Sequence, residues 1–128
     1  MYEVTVESEF SAAHCIRGHP GKCAQMHGHN YRVAVVFAGD RLDDLDMVLD
    51  FGRAKAAVEE VLAALDHTVL NELPAFRDRN VTTENLARHV FHSLRERLPG
   101  LAGDEAVRMA RVTVWEGPRS SVTYSEEA

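Results

Sequence analysis

The chain has 128 residues, 45% of them hydrophobic, enough for one core in a single domain and far from a membrane composition. No apolar run approaches the length of a membrane span, and the N-terminus lacks the basic and apolar regions of a secretory leader, so a cytoplasmic protein with no membrane partner is expected. The formal charge of −6 speaks against nucleic-acid binding, which needs a basic surface, and leaves open a small anionic substrate held by a few local Arg and Lys.

Alternation begins at once. Over 2–14, Tyr2, Val4, Val6, Phe10 and Ala12 share one parity and Glu3, Thr5, Glu7 and Glu9 the other, as in a half-buried antiparallel strand. Residues 16–26, "IRGHPGKCAQM", have the Gly, Pro and polar content of a loop. Residues 29–37 alternate again, with Tyr31, Val33, Val35 and Phe37 in phase. Asp50 can cap a helix starting near Phe51, whose stripe is Phe51, Ala54, Val58, Val61, Leu62 and Leu65, and Pro74 bars its continuation. Thr82 or Thr83 caps a second helix with Leu86, Val90, Phe91, Leu94 and Leu98 on one side, and Pro99-Gly100 stops it. Residues 107–116 form a third strand. An irregularity is expected near Ala110, because the parity shifts from Val107/Met109 to Val112/Val114. Gly117-Pro118 then turns the chain into a short last strand, "SSVTY".

The order ββααββ predicts one α+β domain over 1–128, a four-stranded antiparallel sheet with two helices on one face. Four strands leave two unpaired edges, which proteins cover or pair. No segment obviously covers both, so edge pairing between subunits, and hence an oligomer, is expected.

The stretch "CAQMHGH", residues 23–29, carries the strongest chemical signal. Side chains on a strand repeat every two residues, so His27 and His29 point to one face, that of Tyr31 and Val33. Gly28 between them is expected to let other backbone approach closely. His14 continues the core parity of Phe10 and Ala12 at the same hairpin end. Three imidazoles can therefore converge, and three histidines with an open fourth position is the pattern of a catalytic zinc. No carboxylate completes a facial triad at these positions, which favours Zn²⁺ over iron. His89 and His92 lie three apart on the second helix but lack a third partner, and they read as helix-surface residues; His19 is uncommitted.

Cys15 and Cys23 are too few, in a cytosolic chain, for a structural disulfide; Cys15 reads as a small buried hydrophobe. Cys23 has two readings. Beside a divalent cation and Lys22 it suits a base or nucleophile; four residues before His27, it also suits a fourth zinc ligand that would close the site. Asp66-His67, just past the first helix, reads by itself as a polar helix terminus, and as a carboxylate-oriented proton shuttle only if the helix has ended. Glu116 shares the core parity of Val112 and Val114 at a strand end. It either turns to solvent or meets a bidentate partner such as the guanidine-like edge of a heterocycle.

Taken together, His14 after "FSAAH", "CAQMHGHNY", "LDFGRAK", "LDHTVLNE", "VTTENLA" and "VWEG" resemble, in order and over nearly the whole chain, the 6-pyruvoyl- and 6-carboxy-tetrahydropterin synthase superfamily. The three residues between Cys23 and His27 resemble the bacterial 6-carboxy enzymes of queuosine biosynthesis. The resemblance implies His14, His27 and His29 as zinc ligands and Cys23 as catalytic base. It implies a relay through His67 with Asp66 or Glu116, and Glu116 as anchor of the pterin 2-amino and N3 groups. Thr82 and Thr83 would line the pterin pocket, and Arg17, Lys22 and Arg119 are candidates for the triphosphate. It further implies the tunnelling fold, with trimeric barrels stacked as a homohexamer. The reaction implied converts 7,8-dihydroneopterin triphosphate to 6-carboxy-5,6,7,8-tetrahydropterin, acetaldehyde and triphosphate. The alternatives are a 6-pyruvoyl-tetrahydropterin synthase, without carbon–carbon cleavage, and a non-enzymatic zinc domain closed by Cys23.

Overall fold

The computed structural model describes residues 1–127. In chain order it contains β1 (Tyr2–His14), β2 (His27–Gly39), α1 (Phe51–Ala63), α2 (Thr83–Leu101), β3 (Arg108–Gly117) and β4 (Ser120–Tyr124). The strands form one antiparallel sheet in the order β1-β2-β3-β4, with both helices packed on the same face. The β1–β2 register sets Phe10 opposite Tyr31, Ala12 opposite His29 and His14 opposite His27, so β2 begins two residues earlier than the alternation suggests.

The buried parity of the sheet meets the apolar stripes of the helices in one core. Tyr31, Val33, Val35 and Phe37 of β2 are fully inaccessible, as are Val112 and Val114 of β3 and Leu86, Val90 and Leu94 of α2. Burying such a side chain contributes about 1.5–3 kcal/mol, which is what fixes the strand register. On the other face, Arg111–Glu3 and Arg32–Glu7 ion pairs cross the strands, and the Arg32 guanidinium lies 3.8 Å above the Trp115 ring. The expected irregularity falls where parity breaks: the β2–β3 register shifts between Val36 and Phe37, leaving Ala110 as the extra residue. A second shift leaves Glu116 out of the β3–β4 ladder, between Trp115 and Gly117.

Four sequence expectations are corrected. Asp50 caps α1 through a 2.9 Å bond from the Arg53 N–H, but Phe51 is 66% exposed, because the first helical residue lies outside the packed stripe. Tyr2, at the free end of β1, is also exposed. Helix α2 runs through Pro99-Gly100 to Leu101. In the last turn Pro99 removes a single donor, the Ala102 N–H still reaches the Leu98 carbonyl, and Arg53 donates to the Gly100 carbonyl. Finally, part of the β1 edge is covered. The Ala13 N–H bonds to the Thr68 carbonyl and the His67 N–H to the Ser11 carbonyl, so the segment after α1 lies alongside the end of β1.

Candidate active site

The three histidines come together at the loop end of the β1–β2 hairpin. Residues opposite one another in an antiparallel pair share a face. Ring-centroid separations are 4.6 Å for His14–His27, 4.8 Å for His27–His29 and 5.1 Å for His14–His29. Their ligand nitrogens all lie within 4.8 Å of one another; among the described residues no cysteine or carboxylate joins this group.

The tautomers follow from the partners. A carbonyl only accepts, so His14 Nδ1–H donates to the Val81 carbonyl at 2.7 Å and His27 Nδ1–H to the Gln25 carbonyl at 2.6 Å. Each bond leaves Nε2 as a lone-pair atom, the arrangement by which outer partners aim imidazoles at a metal. Burial pushes the His14 and His29 pKa values down; the Val81 bond opposes this at His14, Glu116 opposes it at both, and the neighbouring imidazoles act with burial. His14 Nε2 and His29 Nε2 are buried without a hydrogen-bond partner. Converging ring nitrogens, two of them buried and without a hydrogen-bond partner, fit a divalent cation with nitrogen affinity.

Gly28 does not serve the purpose expected of it. A Cβ there would meet only the Ala12 carbonyl oxygen at 3.5 Å, an ordinary contact. The glycine instead lines an open cleft of about 510 Å³ shared with His29, Asn30, Ser11 and His67.

Glu116 reaches the site because its bulge frees it from the ladder. Its Oε1 lies 3.4 Å from His29 Nε2, and its Oε2 accepts from the Thr83 hydroxyl at 3.0 Å. Its side chain is 35% exposed, so one edge of the carboxylate stays available to a ligand. The two threonines divide: Thr82 is the cap, accepting from the Asn85 N–H at 3.1 Å, and Thr83, nearly buried, holds Glu116.

Helix α1 has ended by Ala63, which frees Asp66 to face its neighbour. Asp66 Oδ2 lies 2.9 Å from His67 Nδ1 and its Oδ1 accepts from the Ser11 N–H at 2.9 Å. The Ser11 bond, then His67, holds the Asp66 carboxyl below the usual carboxylate range. His67 adopts a left-handed φ of +57°, uncommon outside glycine, and its exposed ring lines the same cleft as His29. The carboxylate beside His67 is thus Asp66, while Glu116 faces His29.

Cys23 sits in a short 3₁₀ turn, Lys22–Ala24, in the hairpin loop, half-buried and free. Its carbonyl accepts from the Ile16 N–H at 2.7 Å, which folds this loop back toward β1. Arg17 is held by Asn80 through reciprocal backbone bonds and donates to the Arg77 carbonyl; Lys22 and Arg119 are exposed, with Arg119 in the β3–β4 turn. Cys15 is only half-buried, bracketed by the Asn71 side chain. His89 and His92 are also half-buried: His89 packs on Phe76 and His92 bonds Glu126, which corrects the expectation of surface residues. The sequence reading missed Val81 and Gln25, whose carbonyls fix two tautomers and carry no side-chain signal.

A family model described as 6-pyruvoyl tetrahydropterin synthase matches residues 3–127. The chain belongs to the 6-pyruvoyl tetrahydropterin synthase family. It is 35% identical over 113 residues to a 6-carboxy-5,6,7,8-tetrahydropterin synthase of Synechocystis sp., covering 84% of this chain and 86% of that one. A dihydroneopterin monophosphate aldolase of Pyrococcus furiosus is 32% identical, with 89% of each chain covered. The structure of the Caenorhabditis elegans 6-pyruvoyl tetrahydropterin synthase superposes with a TM-score of 0.81 at 30% identity, covering 99% of this chain and 98% of that one. The fold is therefore the tunnelling fold of the family, and the chain is an enzyme of that family.

Proposed function

We propose that this family member is a zinc-dependent lyase converting 7,8-dihydroneopterin triphosphate and water to 6-carboxy-5,6,7,8-tetrahydropterin, acetaldehyde and triphosphate, in cytoplasmic queuosine biosynthesis. The observation that carries the reading is the trio of converging imidazoles, with Nε2 atoms that make no hydrogen bond, beside a partly exposed, hydrogen-bonded glutamate. The relative from Synechocystis supports the product assignment by its name.

In this reading His14, His27 and His29 hold Zn²⁺, which when bound polarises and acidifies the side-chain hydroxyls of the substrate. Glu116, steadied by Thr83, accepts from the 2-amino and N3 groups of the pterin and fixes the ring in register with the bases. Thr82 contributes by setting the first turn of α2. Cys23 takes a proton from the side chain as base, and His67, oriented by Asp66, moves a second. Arg17, Lys22 and Arg119 are the cations assigned to the triphosphate. The enzyme works as a homohexamer of two stacked trimers, pairing the sheet edges that remain free.

Incubation with dihydroneopterin triphosphate, with acetaldehyde assayed and the pterin product weighed by mass spectrometry, tests the reading. Stoichiometric acetaldehyde and the 6-carboxy mass are expected. A pyruvoyl product without acetaldehyde would favour the second reading, a 6-pyruvoyl tetrahydropterin synthase, to which the Caenorhabditis structure lends support. A sulfur atom in the first shell of the zinc, seen by X-ray absorption, would remove Cys23 as base.

A further inference from the structure

Acids outnumber Lys and Arg by 20 to 14 in this chain, so an arginine without a partner is unexpected. Most arginines have one. Arg32, Arg41, Arg95, Arg97 and Arg111 pair with carboxylates, Arg17 and Arg53 donate to carbonyls, and Arg108 donates to the Met1 sulfur. Among the described residues, only Arg77, Arg79, Arg88 and Arg119 make no side-chain hydrogen bond or ion pair. Two of these four, Arg79 and Arg88, line a single cleft of about 430 Å³.

The cleft lies between the 3₁₀ turn Pro74–Phe76 and one side of α2. Its α2 wall repeats every three or four positions, through Asn85, Arg88, His89, Ser93 and Glu96, beside the buried stripe of Leu86, Val90 and Leu94. The half-buried His89 ring packs on buried Phe76 at 5.2 Å and has no hydrogen-bond partner among the described residues. Glu84, one turn before Arg88, has the spacing for a helix ion pair, yet Arg88 lines the cleft and no such pair forms. None of these residues lines the cleft beside the three histidines.

Two guanidinium groups offer planar forks of donors and two fixed charges, which match a phosphate dianion, whereas a monocarboxylate would leave one charge over. Glu96 is eight residues beyond Arg88, about 12 Å along the helix. A carboxylate at that distance accepts from donors on the other end of the same ligand. The volume falls within the range of small-molecule sites.

We propose that this cleft binds a small phosphate monoester, with the phosphate between Arg79 and Arg88 beside His89 and a body bearing hydroxyl or N–H donors running along α2 to Ser93 and Glu96. The site shares no residue with the lyase reading and stands or falls apart from it.

Calorimetric titration of the full chain with inorganic phosphate and with ribose 5-phosphate, at fixed ionic strength, tests the proposal. Both should bind, the ester roughly threefold or more tighter. Arg79→Gln/Arg88→Gln should weaken both by roughly tenfold or more, with the thermal midpoint unchanged because neither side chain has a partner to lose. Glu96→Gln should weaken the ester alone. Arg77→Gln removes an unpartnered guanidinium outside the cleft and should leave both affinities within about twofold. No saturable binding of either probe up to about 10 mM would overturn the proposal. Full affinity in the double variant, which places the anion elsewhere, would do so too, as would an equal loss in Arg77→Gln, which makes the attraction diffuse. Equal affinity for the two probes would overturn the ester as occupant in favour of the free anion.

Discussion

Replacing Thr83 with valine tests whether the carboxylate on the β3 bulge positions the pterin. The perturbation removes one donor and keeps side-chain volume at a site that is 8% exposed, on the first turn of α2. The hydroxyl donates to Glu116 Oε2 at 3.0 Å, and hydrogen bonds to a charged group contribute about 1.5–3 kcal/mol. Because the Glu116 side chain keeps 35% exposure, water partly replaces the lost donor, and the lower figure of about 1.5 kcal/mol applies. That corresponds to about tenfold in kcat/KM. Steady-state kinetics on Thr83→Val should show this loss with zinc content unchanged, and Thr83→Ser, which restores the donor, should recover most of it. A Thr83→Val enzyme with wild-type kcat/KM would refute the assignment of Glu116 as the ring anchor through this contact.

His27→Ala should leave a two-imidazole site too weak to retain metal, read as less than about 0.1 zinc per chain after dialysis. Cys23→Ala should keep zinc and bind the pterin but lose turnover by about a hundredfold or more; near-normal turnover would contradict its role as base. At the C-terminal end, Tyr124, His92 and Arg95 bond Glu126 and pull its carboxyl down to about 2. The folded value lies below the unfolded one, so the stabilisation is complete above the unfolded pKa and is lost as pH falls through the folded one. Urea midpoints of wild type and Glu126→Gln should differ by a constant amount above about pH 5, and the gap should shrink steadily between about pH 4.5 and 2.

The clustering of the three histidines was legible because strand periodicity alone decides which face a residue takes. His14, His27 and His29 all sit on the buried parity, and the register sets them across from one another or one step apart. The same parity left Glu116 open between solvent and a partner; the bulge that decides it was not legible, because a register shift depends on pairing between two strands, not on either strand's pattern. The coupling of Asp66 to His67 was one of two readings, and local sequence could not choose between them. It requires a left-handed residue and bonds to Ser11, 55 positions earlier in the chain, which no local signal encodes. Phe51 and Pro99 were misread for a shared reason: both lie in a terminal turn, where helical spacing and the proline rule lose their force.

The histidine trio and the thiol belong to parts of the hairpin with different tolerances. The imidazoles ride on a thirteen-residue ladder whose register any change would flip, whereas Cys23 rides on the connecting loop, outside that ladder. Lengthening or shortening the loop would therefore move the thiol relative to stationary imidazoles. A scaffold divided in this way lets the reach of the thiol vary while the geometry of the three rings is left as it was.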